Sequence, residues 1–98
     1  MQNYKNEANS NYIMNKLKHY RKKIDLIDRN IVKLLLSRFK LIKRVANYKK
    51  INKIQISDEI RELEVLKNIE KHSKKDHSDF IKNIFKSIIN YSKKFQSK

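Results

Sequence analysis

The chain has 98 residues, with 25 Lys+Arg against 10 Asp+Glu, a formal charge of +15, and no Gly, Pro or Cys. That length suits one small domain whose lone core is marginal, and no disulfide can reinforce it, so association with a second copy is already an expectation. No run of 18 apolar residues offers a membrane span, and the start MQNYKNEANSNYIMNK lacks the apolar stretch of a secretory signal, which makes the cytoplasm the default compartment.

Without Gly or Pro the usual helix breakers are missing, and turns fall to Asn, Asp, Ser and Lys. Strand-type alternation is absent, so the expected class is all-α. Residues 1–11 are polar, carry Asn at four positions and show no apolar period. They are expected to form a disordered head, leaving a domain over 12–98.

The first helix is expected over 12–52, with apolar positions Ile13, Leu17, Tyr20, Ile24, Ile27, Ile31, Leu34, Leu35, Ile42, Val45 and Tyr48. About 40 residues span roughly 60 Å, against a radius of gyration near 13 Å for a compact domain of this size. Such a helix overhangs its own globule, and a second copy is the simplest cover for the overhang. A connection over 53–57 includes Ile54 and Ile56, which anchor it on the core. A second helix follows over 58–72, capped by Ser57 or Asp58, with Ile60, Leu63, Leu66 and Ile69 as its apolar face. KKDHSD (74–79) is a polar break with Asp76 or Ser78 as the next cap. A third helix over 79–95 carries Ile81, Ile84, Phe85, Ile88 and Ile89, and its stripe closes with Ser92 and Gln96.

The long helix has an anomaly. Its stripe reads Arg21, Ile24, Asp28, Ile31, Leu35, Arg38, Ile42, Val45, Lys49, so three cations lie on or beside an otherwise apolar face. A cation buried there is costly unless an anion meets it. Arg38 and Lys49 are 11 residues apart, close to three turns and roughly 16 Å, and their long side chains can lean onto one small ligand. Arg21 lies 17 residues before Arg38, roughly 25 Å away, and reaches that ligand only if a second chain supplies it. The plain alternative is that all three snorkel to water or pair with carboxylates. For Arg61 and Glu62, just after Asp58, the plain reading is a complemented helix dipole.

Other chemistries find no support. His19, His72 and His77 are not at i, i+4 spacing, and no HExxH pattern occurs. A nucleophile elbow or a phosphate-cradling glycine loop is impossible without glycine. What remains is a site of fixed cations and hydrogen-bond donors, suited to binding an anion or to a reaction that needs only charge stabilisation and orientation. A basic helical nucleic-acid-binding module is the rival class. It leaves the cations on the apolar stripe unexplained, and the lysines are dispersed as on a solvated surface, or as an A- and T-rich genome would encode them.

The runs RKKIDLIDRNIVKLLLSRFKLIKRVANYKK (21–50), ISDEIRELEVL (56–66) and FKSIINYSKKFQ (85–96) resemble the all-helical chorismate mutases of bacteria, from Leu17 to Gln96. The resemblance implies three helices per chain, intertwined as a homodimer through the long first helix. It implies the Claisen rearrangement of chorismate to prephenate, on the way to phenylalanine and tyrosine, with no cofactor and no metal. Carried over by position, Arg38 would bind a substrate carboxylate, and Arg21 would do so from the partner chain. Lys49 would reach a carboxylate and the ether oxygen whose bond breaks, and Gln96 would donate to that oxygen from the other side. Some relatives place Glu there and depend on acid. Glu62 would accept from the ring hydroxyl, with Asp58 nearby, Arg61 would order that corner, and Ser92 would hydrogen-bond a carboxylate. The same resemblance leaves isochorismate-pyruvate lyase as a rival within the fold, and a regulatory subunit of the same pathway as a third possibility.

Overall fold

A computed structural model describes residues 2–97 and the side chains of 9–97; Met1 and Lys98, the outer ends of the expected head and domain, lie outside the described residues. Three α-helices follow one another: α1 (Gln2–Ile51), α2 (Glu59–His72) and α3 (Ser78–Gln96), with a 3-10 turn over Lys75–His77. No strand occurs among the described residues, and none of the helices is long and apolar enough to cross a membrane. The second and third helices lie within a residue of their expected bounds. The first does not: α1 begins at Gln2 rather than near residue 12. The head expected to be disordered continues the helix, since it holds no Gly or Pro to stop it.

The chain divides into two compact units, Met1–Ser37 and Arg38–Lys98. The first holds only the leading part of α1. Its apolar residues Ile13, Leu17, Tyr20, Ile24, Ile27, Ile31 and Leu34 recur at alternating steps of four and three, the heptad spacing of a helix that packs against another helix. In the single chain they stand open: Ile13 is 61% exposed, Ile24 53% and Ile31 50%.

The second unit holds the end of α1 with α2 and α3. Its half-buried side chains include Phe39, Ile42 and Ala46 from α1, Val65, Leu66 and Ile69 from α2, and Ile81, Phe85, Ile88 and Ile89 from α3. Of the expected stripes Ile60, Leu63 and Ile84 stand exposed instead, and Phe39, Ala46 and Val65 take part that were not in them. Phe39 meets Tyr91 edge-on with ring centroids 5.1 Å apart, and Phe95 at 6.4 Å, which fixes α1 against α3. Lys82 Nζ pairs with Glu70 Oε2 at 3.3 Å between α3 and α2. Yet no apolar residue among those described is fully buried. A domain held by half-covered side chains gains well under the ~1.5–3 kcal/mol that each buried Leu or Ile supplies when completely covered.

The end of α1 is built without glycine. Lys53 sits in the left-handed region at φ 56°. Ile54 N donates to Lys49 O at 2.8 Å, and Lys53 N reaches Lys50 O at 3.4 Å. These are the paired bonds of a Schellman turn, in which the left-handed position is usually Gly. A lysine there costs about 1–2 kcal/mol that a glycine would not. The turn matters for the site because its first acceptor is the backbone of Lys49.

Helix α2 starts as expected at Asp58, whose Oδ1 accepts from Arg61 N at 3.0 Å. For α3 the expectation fails. Neither Asp76 nor Ser78 caps it; the N-cap position is His77 and makes no side-chain bond, because the preceding 3-10 turn runs directly into the helix.

Candidate active site

All the converging side chains belong to the second unit. A pocket of about 300 Å³ is walled on its apolar side by Leu41, Ile42, Val45, Val65 and Ile89. On its polar side stand Arg38, Lys49, Asp58, Arg61, Glu62, Ser92, Lys93 and Gln96. Four cations against two carboxylates give the lining a surplus of two positive charges, the complement of a small dianion. No histidine lines it.

Helical spacing explains why α1 and α3 meet here. Arg38 and Lys49 lie three turns apart on one face of α1, and Ser92 and Gln96 lie one turn apart on one face of α3. Packing the two faces together brings Arg38 opposite Ser92 and Lys49 opposite Gln96. Arg38 Nη1 donates to Ser92 Oγ at 3.0 Å. Lys49 Nζ donates to Ile56 O at 2.8 Å and reaches Gln96 Oε1 at a longer 3.4 Å. The connection between α1 and α2 thus fixes the lysine through its backbone, so Ile56 contributes a carbonyl as well as an apolar anchor.

Ser92 makes both of its bonds within the chain. Its hydroxyl donates to Ile88 O at 2.8 Å and accepts from Arg38. With its proton so engaged, it aims the guanidinium rather than pointing a donor into the pocket. Burial weakens the hold of Arg38 on its proton, and the like charge of Arg61 adds to that. An anion placed between the two guanidiniums would reverse the second effect. Arg61 itself is open to water and pairs with Glu64 Oε2 at 3.3 Å, an exposed bridge of little energetic weight.

Glu62 is half-buried. Lys93 Nζ stands 2.8 Å from its Oε1. That contact is close enough for an ion pair but not aligned as a hydrogen bond, and Oε1 is a buried oxygen with no donor directed at it. Lys93 was not among the residues singled out from sequence. Its signal was present: position 93 follows Ile89 by four and precedes Gln96 by three, which places it on the pocket face. It was masked by the general abundance of lysine.

Of the eight sequence-derived site residues, Arg38, Lys49, Asp58, Arg61, Glu62, Ser92 and Gln96 line this one pocket. Arg21 does not; it belongs to the first unit.

An all-helical fold with a pocket of surplus positive charge, lined by guanidinium, ammonium and amide donors, is the class of site that suits a small anion. The chain belongs to the chorismate mutase type II family, whose model matches residues 20–97. That match takes in every site residue named above, Arg21 included. Comparison with curated proteins and with solved structures gives no match.

Proposed function

We propose that the protein is a chorismate mutase, an isomerase that converts chorismate to prephenate by an intramolecular rearrangement. One C–O bond breaks and one C–C bond forms within a single molecule, so no proton, electron or group leaves. C–O cleavage runs ahead of C–C formation, and negative charge grows on the ether oxygen. The chain's task is then to fold the dianion into its reactive shape and to meet that charge.

The observation that carries this reading is the Lys49–Gln96 contact on one wall of the pocket. Gln96 turns Oε1 to the lysine, which leaves its N–H groups to donate. The Lys49 ammonium, anchored on Ile56 O, has further protons of its own. Two fixed donors aimed at one oxygen form the equivalent of an oxyanion hole, where a single donor is typically worth about 3–4 kcal/mol. Arg38, aimed by Ser92, holds a carboxylate, and Glu62 accepts from the ring hydroxyl. Holding the carboxylates so that the ends of the molecule meet is catalysis by orientation, while the Glu62 contact adds binding alone.

The reading includes a homodimer in which Arg21 of each chain completes the partner's site. The open heptad stripe of α1 and the lack of any fully buried apolar side chain among the described residues support that assembly.

Incubation with chorismate tests the proposal, with prephenate as the expected product. Isochorismate in parallel separates the lyase that shares this fold: release of pyruvate from isochorismate, with chorismate untouched, would replace the mutase reading. Sedimentation should show a dimer, and a monomer that is active would remove Arg21 from the site.

A further inference from the structure

We propose that Lys93 is a positioning residue. It holds the Glu62 carboxylate in place to accept a hydrogen bond from the ligand's hydroxyl, and so sets how tightly a hydroxyl-bearing dianion binds. The inference rests on the function proposed above and deepens it by naming what supports one of the site's contacts.

Three observations lead to it. Lys93 lines the same pocket as Arg38, Lys49 and Gln96, although its neighbour Lys94 faces outward. Its Nζ lies 2.8 Å from Glu62 Oε1, across from α3 to α2. That oxygen is buried and receives no hydrogen bond, so the ammonium is what compensates it. One carboxylate oxygen is thereby occupied on the protein side, and Oε2 is left as the acceptor for a ligand. Lys93 also offsets the charge of Glu62. Without it a carboxylate would face the incoming dianion with only half the lining's positive surplus to draw the ligand in.

The chemistry says which kinetic constant responds. The ring hydroxyl neither forms nor breaks a bond in the rearrangement and gains no charge. A group that holds it binds the ground state and the transition state alike, which appears in KM and not in kcat. This separates Lys93 from Lys49 and Gln96, which face the oxygen where charge develops.

The test is steady-state kinetics on chorismate for the wild type and for Lys93→Met, Lys93→Arg, Glu62→Gln and the Glu62→Gln/Lys93→Met double variant. Lys93→Met is expected to raise KM about tenfold or more while kcat stays within about threefold. Lys93→Arg should recover most of the loss, because a second cation can make the pair. The double variant should be no worse than Glu62→Gln alone, since Lys93 acts through that carboxylate. If Lys93→Met fails to fold with its carboxylate unpaired, Glu62→Gln against the double variant carries the test. An unchanged KM in Lys93→Met with an active wild type overturns this proposal alone. Additive losses in the double variant overturn it too, and would mean that Lys93 touches the ligand directly. A wild type that leaves chorismate unchanged overturns the functional reading and this inference with it.

Discussion

A Gln96→Glu substitution keeps the length and shape of the side chain and changes what it can donate. In the wild type Oε1 accepts from Lys49 Nζ at 3.4 Å, and the amide N–H groups are the donors that remain. An ionised glutamate has two acceptors and no donor. It also binds the Lys49 ammonium as an ion pair, drawing that charge away from the ether oxygen. Loss of one aligned donor costs about 3–4 kcal/mol, or roughly 10²- to 10³-fold in kcat. A second estimate agrees. Only the protonated carboxyl can donate, and with an ordinary glutamate pKa near 4.3 about one molecule in 10³ is protonated at pH 7.5. The direction follows: the competent form is the protonated one, so kcat of the variant should rise as pH falls, about tenfold per unit, until the carboxyl is half protonated. Lys49 favours the carboxylate and pushes that point to lower pH. The assay is the loss of chorismate's ultraviolet absorbance at saturating substrate, between about pH 4.5 and 8, with helicity checked by circular dichroism. A variant within threefold of wild type at neutral pH, or one whose lost activity does not return with acid, would refute the role given to Gln96.

Wild-type kcat should stay level between about pH 6 and 8. Gln96 has no ionisable proton, no histidine lines the pocket, and Arg38 remains a cation far above that window although burial and Arg61 loosen its proton; a steep profile of kcat against pH would contradict this. Lys49→Ala should lower kcat by about 10²-fold or more with unchanged helical content, measured in the same assay. Mixing Arg21→Ala chains with Arg38→Ala chains should restore part of the activity that each lacks, because one hybrid site is then whole; mixed dimers that form and stay inactive would end the shared-site model. Lys53→Gly should raise stability by about 1 kcal/mol by relieving the left-handed lysine, read from chemical unfolding at fixed protein concentration, with kcat unaltered.

Much of this molecule could be read from its sequence, for reasons particular residues make plain. Helices α2 and α3 were legible because their apolar residues keep strict helical spacing and Asp58 is a strong cap. Arg38 and Lys49 were legible because each interrupts an apolar stripe, and an interruption on a packed face has to be met by something; Ser92 and Gln96, which only close theirs, were marked by the resemblance to the family. The start of α1 was not legible: fraying was inferred from Asn content, while a continuous helix is decided by the absence of any breaker. The turn at Lys53 was hidden because nothing marks a lysine as left-handed. Lys93 was hidden among 25 cationic residues, and only the placement of α3 against α2 separates it from its solvated neighbours. The bond from the Ser92 hydroxyl to Ile88 O is a local backbone contact that sequence spacing does not reveal.

Among the described residues Ser92 is the one side chain shut away from water, 4% exposed. In most small domains the innermost spot is a leucine and the ligand's anchor lies elsewhere, so each can drift in evolution while the other is kept. Here the innermost spot is a hydroxyl, and it also sets the aim of a guanidinium that lines the pocket. Any replacement at position 92 disturbs the aim of a guanidinium and the seating of a helix in one step. Sequence drift therefore finds no neutral path through it, and variation across natural descendants of this chain ought to be narrowest there.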